Sequence, residues 1–468
     1  MLGVVESGPN TCKPADVVHN MEEYEAKWAY SARNYAAAIT AYDCAETYFR
    51  EGGSRLYVGR VSGPAAAKAT IPIPGSTLVV WNADAIGNGE YGNDLNVEIR
   101  TTTQDASIPA GNYRIRVKTD GGTILEESYD LADKTAGANW AKGYSKYIVL
   151  RDNTQTTNPV AGTYSLAGGS NDSANVVTAQ WQAAALALTS DLGPGIVFAP
   201  GLTTSAGQAA IAASIVGQAR AAFLDGVDTA TVATLTAMPP AVIDGVDGRS
   251  RYCGLFAPYL IIPGLTVGST RTIPPAAAVA GVFARNMAGG ISPNEPSAGE
   301  LGKFNTVLAL TQSYTDASRQ TLNSAGVNVI RDIYGDRKVY GWRTTADPVL
   351  DSRWLNLGNS IMVRSVTAQA GAVGERFVFR QIDGQGILIS QFGAALAGEV
   401  CAPLFFAGSL YGDSPSEAFN VDVGPSVNTP ATIANGELRA VISMRMSPFA
   451  EEVRIEIVKY LVTESLAA

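Results

Sequence analysis

The six residues Gly87-Asn88-Gly89-Glu90-Tyr91-Gly92 have the G-x-G-x-x-G spacing with which a backbone turn cradles a dinucleotide pyrophosphate. That chemistry needs a helix after the last glycine, because the helix's free N–H groups and dipole hold the phosphates. The next residues are instead "NDLNVEIR", in which Leu95, Val97 and Ile99 alternate with Asn96, Glu98 and Arg100. A period of two is that of a strand. The glycines are therefore expected to form a turn entering a strand, with no nucleotide bound.

The other reactive side chains are sparse. His19 is the one histidine, expected on a helix as a surface or partly packed side chain. One imidazole argues against a His-rich metal site and leaves any serine triad a single candidate base. Cys12, Cys44, Cys253 and Cys401 never reach CxxC spacing, and their mostly apolar or aromatic neighbours mark them as small buried residues. Asp244 to Gly248, "DGVDG", lacks the alternating ligands and distal glutamate of an EF-hand loop and reads as a turn. There is no P-loop and no HExxH, and "GGSRLYVG" is not a G-x-S-x-G elbow. Glu22-Glu23 and Glu451-Glu452 read as ordinary solvated charges. No catalytic residue, cofactor or metal ligand is expected. The enzymatic alternative is a cytoplasmic hydrolase with an unrecognised Ser or Asp site, and the lone histidine and missing elbow count against it.

The elements that would position any site come from 468 residues, a length that suggests about three domains. Hydrophobic content of 46% with 16% charged residues marks a folded chain. The formal net charge of −9 argues against nucleic-acid binding, which needs a dense basic footprint. No run approaches the roughly 18 consecutive apolar residues of a membrane span, and "MLGVVESGPN" has no secretory signal pattern, so a cytoplasmic origin is expected.

Val17, Met21, Tyr24 and Trp28 form one helical stripe after Pro14, and "YAAAITAYDCAETYFREGG" forms a second helix that Gly52-Gly53 stops. "RLYVGRV" reads as a strand and "SGPAAAKATIPIPGS" as a linker. From about Thr77 to Trp181 strand-like runs recur, with Asp120-Gly121-Gly122 as a hairpin turn. An α/β rhythm then returns. "GIVFAPG" and "CGLFAPYLII" read as interior strands, while "SAGQAAIAASIVGQARAAFLDG", "AAAVAGVFARNM" and "GKFNTVLALTQSYTDASRQTLNSAG" read as helices. Beyond Asp347, "FVFRQI" reads as a strand and "GILISQFGAALAGEVCAPLFFAGSLYG" as a long apolar helix that is core more than contact surface. "EAFNVDV", "GELRAVISMRMS" and "VRIEIVKYLVTE" complete the chain as strands. No repeat of fixed period is visible. The fold class is α/β (α+β) and multidomain.

Read end to end, the chain resembles the contractile tail sheath proteins of bacteriophages and phage-like contractile injection systems. The matching pieces are "ESGPN", "CAETYFREGGSRLYVGRV" (Cys44 to Val61), "EYGNDLNVEI" (Glu90 to Ile99) and "LNSAGVNVIRDIYGDRKVYGWRT" (Leu322 to Thr344). "GSLYGDSPSEAFNVDV" and then "NTPATIANGELRAVISMRMSPFAEEVRIEIV" complete them. They run in the family's order and span nearly the whole chain. Two departures stand out. Only seven residues precede Gly8 where the family has an extended arm: the arm is absent, removed or outside this chain, or the mesh is built differently. The stretch Gly289 to Gly302 lacks the usual tryptophan-bearing loop and reads as a variable surface loop.

The resemblance implies a discontinuous mixed-sheet sheath core domain of residues 1–62 with 190–345. It also implies an inserted β-rich outer domain of residues 63–189 and a C-terminal α+β assembly domain of residues 346–468. That last domain would end in an exchangeable strand, Val453, Arg454, Ile455, Glu456, Ile457, Val458, Lys459 and Tyr460. Alternation alone favours an ordinary internal strand there; the family pattern reverses that preference. Gln385, Gln391 and Glu399 are candidates for facing a tube. The implied role is structural: a non-enzymatic subunit polymerising as stacked hexameric rings around a tail tube, contracting without a cofactor. Its partners would be itself, the tail tube protein, and baseplate and tail terminator proteins. Nucleic acid and membrane insertion are not implied. The implied place is a virion tail assembled in the host bacterial cytoplasm, or the sheath of a bacterial injection particle or bacteriocin.

Overall fold

Short apolar runs between Gly195 and Val339 build the central sheet. Gly195–Phe198, Arg220–Asp225, Cys253–Ala257 and Val327–Ile333 lie side by side and parallel, and Asp336–Val339 returns antiparallel to the last. Arg220–Asp225 and Cys253–Ala257 are buried at every position, as a parallel sheet covered on both faces requires. Successive side chains take opposite faces. Ala221 and Phe223 join one core with Phe256, Phe283 and Trp342. Ala222 and Leu224 join another with Ile211, Leu235 and Val329. Helices Ala41–Arg50 and Ala276–Ala288 feed the first core, and Ser205–Ile215 feeds the second.

This is a computed structural model, and it describes residues 1–5, 8–9, 12–28, 41–153, 155–246, 248–264 and 267–449. The chain divides into two compact units. One is Met1–Pro293 with Ser297–Ala368; the other is Asn294–Pro296 with the residues from Gln369 on.

Within the first unit a third core lies in two antiparallel sheets. One orders Thr70–Pro74, Val79–Ala85 and Ile148–Asp152; the other orders Ile124–Glu127, Tyr113–Thr119, Leu95–Thr101 and Gly162–Ser165. The expected hairpin at Asp120 to Gly122 is present, with Thr119 donating to Thr123 at 2.9 Å and Gly122 at φ +84°. A helix, Lys134–Tyr144, is capped by Asp133 and packs Trp140 into that core. The second unit holds a helix running from Ile387 to Phe406 and an antiparallel pair, Phe419–Asp422 with Val441–Met444.

The α/β expectation holds, with several local corrections. "SGPAAAKATIPIPGS" is not all linker. Thr70–Pro74 pairs with Val79–Ala85, and its prolines are tolerated because it is an edge strand. The helix expected through Gly226 stops at Ile215, and Arg220–Asp225 is a strand. A short apolar run has the same pattern in either state. "CGLFAPYLII" is two strands, Cys253–Ala257 and Leu260–Pro263, divided at Pro258. The helix expected from Gly302 covers only Asp316–Ser324. "RLYVGRV" supplies only Gly59–Arg60 as a strand. "FVFRQI" is a turn region, not a strand. His19 lies before its helix: the Asn20 carboxamide accepts from the Glu23 N–H at 2.8 Å and starts the helix Met21–Trp28 after it.

Candidate functional site

The glycine motif is filled by the protein itself. Glu90–Asp94 makes a single tight turn and Leu95–Thr101 continues it as a strand, so no helix faces the glycines. A Cβ on Gly87 would stand 1.8 Å from the Gly8 carbonyl oxygen, and one on Gly92 2.7 Å from the Ala69 methyl. The Tyr91 hydroxyl accepts from the Gly87 N–H at 2.9 Å. Arg60 runs through this crowded place. Its guanidinium donates to the Gly8 carbonyl at 2.5 Å, to Asn171 Oδ1 at 2.7 Å and to the Asn88 carbonyl. Burial pushes its pKa down to about 10, which leaves it charged at neutral pH. The glycines thus let backbone carbonyls close around a buried cation. Sequence reasoning passes over Arg60; the sole hint is its place in "YVGRV".

Among the described residues the other reactive groups are scattered. His19 is exposed, with Nδ1 3.0 Å from the Ser54 carbonyl oxygen. All four cysteines are free and buried, as expected. Asp244 closes a turn, donating its N–H to the Gly248 carbonyl at 3.0 Å. Among the described residues no three His, Cys, Asp or Glu side chains are grouped to hold a metal ion. Asp225 is fully buried, accepting from the Ala276 N–H at 2.8 Å and the Gly201 N–H at 3.1 Å, and burial raises its pKa from 3.8 to about 7. Both oxygens are taken by backbone, so it serves as a helix anchor.

A recess lies in the second unit. Asp383 starts its helix by accepting from the N–H groups of Leu388, Ile387 and Gln385 at 2.8–2.9 Å, and those bonds hold its carboxyl below the usual range. The helix is α from Ile387 to Ala395, π from Leu396 to Cys401, and α again to Phe406. Pro403 explains the widened turn, since it cannot donate to the carbonyl four residues back and its ring crowds Glu399. The helix passes close over Val423, which a Cβ on Gly393 would meet at 2.8 Å. Between it and the strand pair runs a groove of about 840 Å³, lined by Ile382, Ile389, Ala397, Phe419, Val421 and Val423 among others.

The strand Phe419–Asp422, which lines this groove, is paired on one side only. The Arg445 N–H donates to the Ala418 carbonyl at 2.8 Å. Antiparallel pairing alternates, so Asn420 and Asp422 bond inward to Val441–Met444 and Phe419 and Val421 point their peptide groups outward. The Phe419 N–H is used by the Pro415 carbonyl. Among the described residues Val421 has no partner for its N–H or carbonyl on that side. An apolar slot beside an unpaired edge is the setting in which an extended strand is added to a sheet.

Of the positions singled out in the sequence, Gln385 and Gln391 are exposed. Glu399 is exposed and pairs with Arg376 at 2.7 Å. No hydrogen bond joins the three among the described residues. Val453 to Tyr460 lie outside the described residues. The apolar helix is less a core element than expected, for a third of Ile387–Phe406 is buried. It is also the one helix among the described residues long and apolar enough to cross a membrane.

No protein-family model matches the sequence, and no curated protein matches it. Solved structures do match, over nearly the whole chain. A sheath tail protein from Listeria innocua superposes with a TM-score of 0.62 at 12% identity, covering 95% of this chain and 94% of that one. The helical sheath of the anti-feeding prophage in its contracted state gives 0.55 at 15% identity, with 98% and 92% covered. A sheath tail protein from Desulfitobacterium hafniense gives 0.54 at 14% identity, with 90% and 89% covered. The chain has the fold of these tail sheath proteins, as the resemblance in the sequence implied.

Proposed function

We propose that this chain is the structural subunit of a contractile tail sheath. Copies of it form hexameric rings that stack around a tail tube, and contraction is a rigid-body rearrangement between two packings that drives the tube through a target envelope. The observation that supports this most directly is the sheath fold combined with the open edge of Phe419–Asp422 beside an apolar groove. In this proposal the segment Val453 to Tyr460 of a neighbouring copy adds to that edge. Val453, Ile455 and Ile457 turn to one side and Arg454 and Glu456 to the other, which sets the register. The outward Phe419 carbonyl and the Val421 N–H and carbonyl would each make a backbone hydrogen bond with that segment, at ~1 kcal/mol net apiece, and keep subunits joined while their bodies move. Residues 1–62 with 190–345 serve as the body, 63–189 as an outer insertion and 346–468 as the assembly domain. Gln385, Gln391 and Glu399 face the tube, and no bond-making chemistry is required.

Electron microscopy of the purified protein tests this: rings or long hollow tubules are expected. Deleting Val453 to Ala468 is expected to abolish them and leave a folded, soluble subunit. Unchanged tubules in that deletion would overturn the exchanged strand. A uniform monomer that turns over ester or phosphate substrates would overturn the sheath function.

A further inference from the structure

Four described residues other than glycine adopt a left-handed backbone: Asp172, Thr229, Tyr334 and Phe379. Asp172 has a local reason, since its carboxylate accepts from the Ala65 N–H at 2.8 Å and from Asn175 Nδ2 at 2.6 Å. Short polar side chains tolerate this conformation, and aromatic ones do not. Tyr334 and Phe379 are also completely exposed, at 105% and 104%. Among the described residues no hydrogen bond, ion pair or ring contact holds either side chain.

Tyr334 and Gly335, at φ +55° and +89°, form the two-residue turn between Val327–Ile333 and Asp336–Val339, where asparagine–glycine is the favoured pair. Asp332 Oδ1 accepts from the Gly335 N–H at 3.0 Å, and Arg337 donates to the Gly335 carbonyl at 3.0 Å. Phe379, at φ +60°, is two residues past Phe377, whose ring packs on Phe392 at 5.2 Å. Hydrogen bonds hold the Tyr334 turn, the Phe377 ring anchors the chain two residues before Phe379, and each place projects an aromatic ring into solvent. For the isolated chain that choice is unfavourable twice over, in backbone strain and in exposed apolar area.

We infer that Tyr334 and Phe379 are anchors inserted into a second copy of this chain, one carried by each compact unit. Rigidly presented aromatic side chains are the residues that concentrate binding energy at protein interfaces. A projecting ring with no receiving pocket around it is not self-complementary. It therefore seats on a different surface of the next copy, the heterologous contact that builds rings and helical arrays. This inference rests on the sheath function proposed above and adds two residues to its interfaces.

The test compares Y334N, F379N and Y334F with the unaltered full-length chain, in thermal unfolding of the unassembled protein and in the concentration at which tubules appear. Asparagine relieves the backbone strain, so both asparagine variants are expected to unfold at the same or a higher temperature. Each should also need at least roughly tenfold more protein to assemble, the size of loss typical of a strong interface residue. Y334F keeps the ring and should assemble like the unaltered chain. Tubules at unchanged concentration in both asparagine variants would overturn the anchors and leave the sheath function standing. A lowered unfolding temperature would also overturn them, by showing that the rings stabilise their own subunit. Failure of the unaltered chain to assemble at any concentration would remove both proposals.

Discussion

At the scale of single residues, two buried polar groups organise the first unit through bonds to backbone groups, Arg60 to carbonyls and Asp225 to N–H groups. Arg60 is held by carbonyl oxygens, and that of Gly8 reaches it through the space a side chain on Gly87 would fill. Gly87→Ala is expected to destabilise the chain by about 1–3 kcal/mol, the range for forcing an extra methyl into packed structure. Gly217→Ala meets nothing within 4 Å and should be close to neutral; urea unfolding of the pair checks the contrast. Asp225 makes a prediction about pH. Its folded pKa of about 7 lies above its ordinary 3.8 because burial disfavours the anion. The stability it contributes is therefore full below about pH 4 and is lost as pH rises through about 7. Asp225→Asn carries no such proton, so the stability of the unaltered chain relative to this variant should fall between about pH 4.5 and 8. A flat or rising difference across urea titrations at those pH values would contradict it. The glycine spacing is legible in the sequence, and so is its failure as a nucleotide motif, because alternation after Gly92 is a local pattern. Arg60 is not legible, since its partners at Gly8, Asn88 and Asn171 are brought together only by the fold.

At the scale of elements, legibility depends on how local the deciding interaction is. Strands bounded by turns, such as Leu95–Thr101 and Tyr113–Thr119, and the alanine-rich helix Ala276–Ala288 are readable from periodicity alone. Arg220–Asp225 reads as the end of a helix because small apolar residues fit either state, and pairing with Cys253–Ala257 and Gly195–Phe198 decides it. Thr70–Pro74 is hidden by Pro72 and Pro74, which an edge position accommodates. Phe377 to Ile382 has strand composition, yet Phe377 is drawn onto Phe392 and the chain turns. The groove is invisible in the sequence, because it needs the helix, Gly393 and the strand pair in place together. The function proposed for it turns on one peptide group. The outward N–H of Val421 is not used in pairing with Val441–Met444, so Val421→Pro should leave the unassembled subunit within about 1 kcal/mol of its original stability, as edge strands accept proline. The same change removes the donor that the proposed added strand would accept from and puts a ring in its path. Tubules should therefore be lost while the circular dichroism of the subunit is kept; tubules of normal yield would mean the strand is added elsewhere or not at all.

At the scale of the whole molecule, the proposed function asks many copies of one acidic chain to pack together. Each carries a formal charge of −9, so every contact is made against mutual repulsion, and repulsion between exposed charges is screened over a Debye length of about 10 Å at 0.1 M salt. If apolar anchors and backbone pairing supply the attraction, added salt weakens the opposing term and leaves the favourable ones nearly untouched. The concentration needed for tubules should then fall as sodium chloride is raised from about 0.02 to 0.3 M. If exposed ion pairs joined the copies, salt would have the reverse effect. Light scattering during assembly across that range separates the two. A rise in the required concentration with salt would place the binding energy in charge pairs, against both the open strand edge and the aromatic turns. The deletion lacking Val453 to Ala468 gives the matching control: with the pairing segment gone, screening alone should not restore tubules, because removing repulsion does not replace hydrogen bonds that are no longer made.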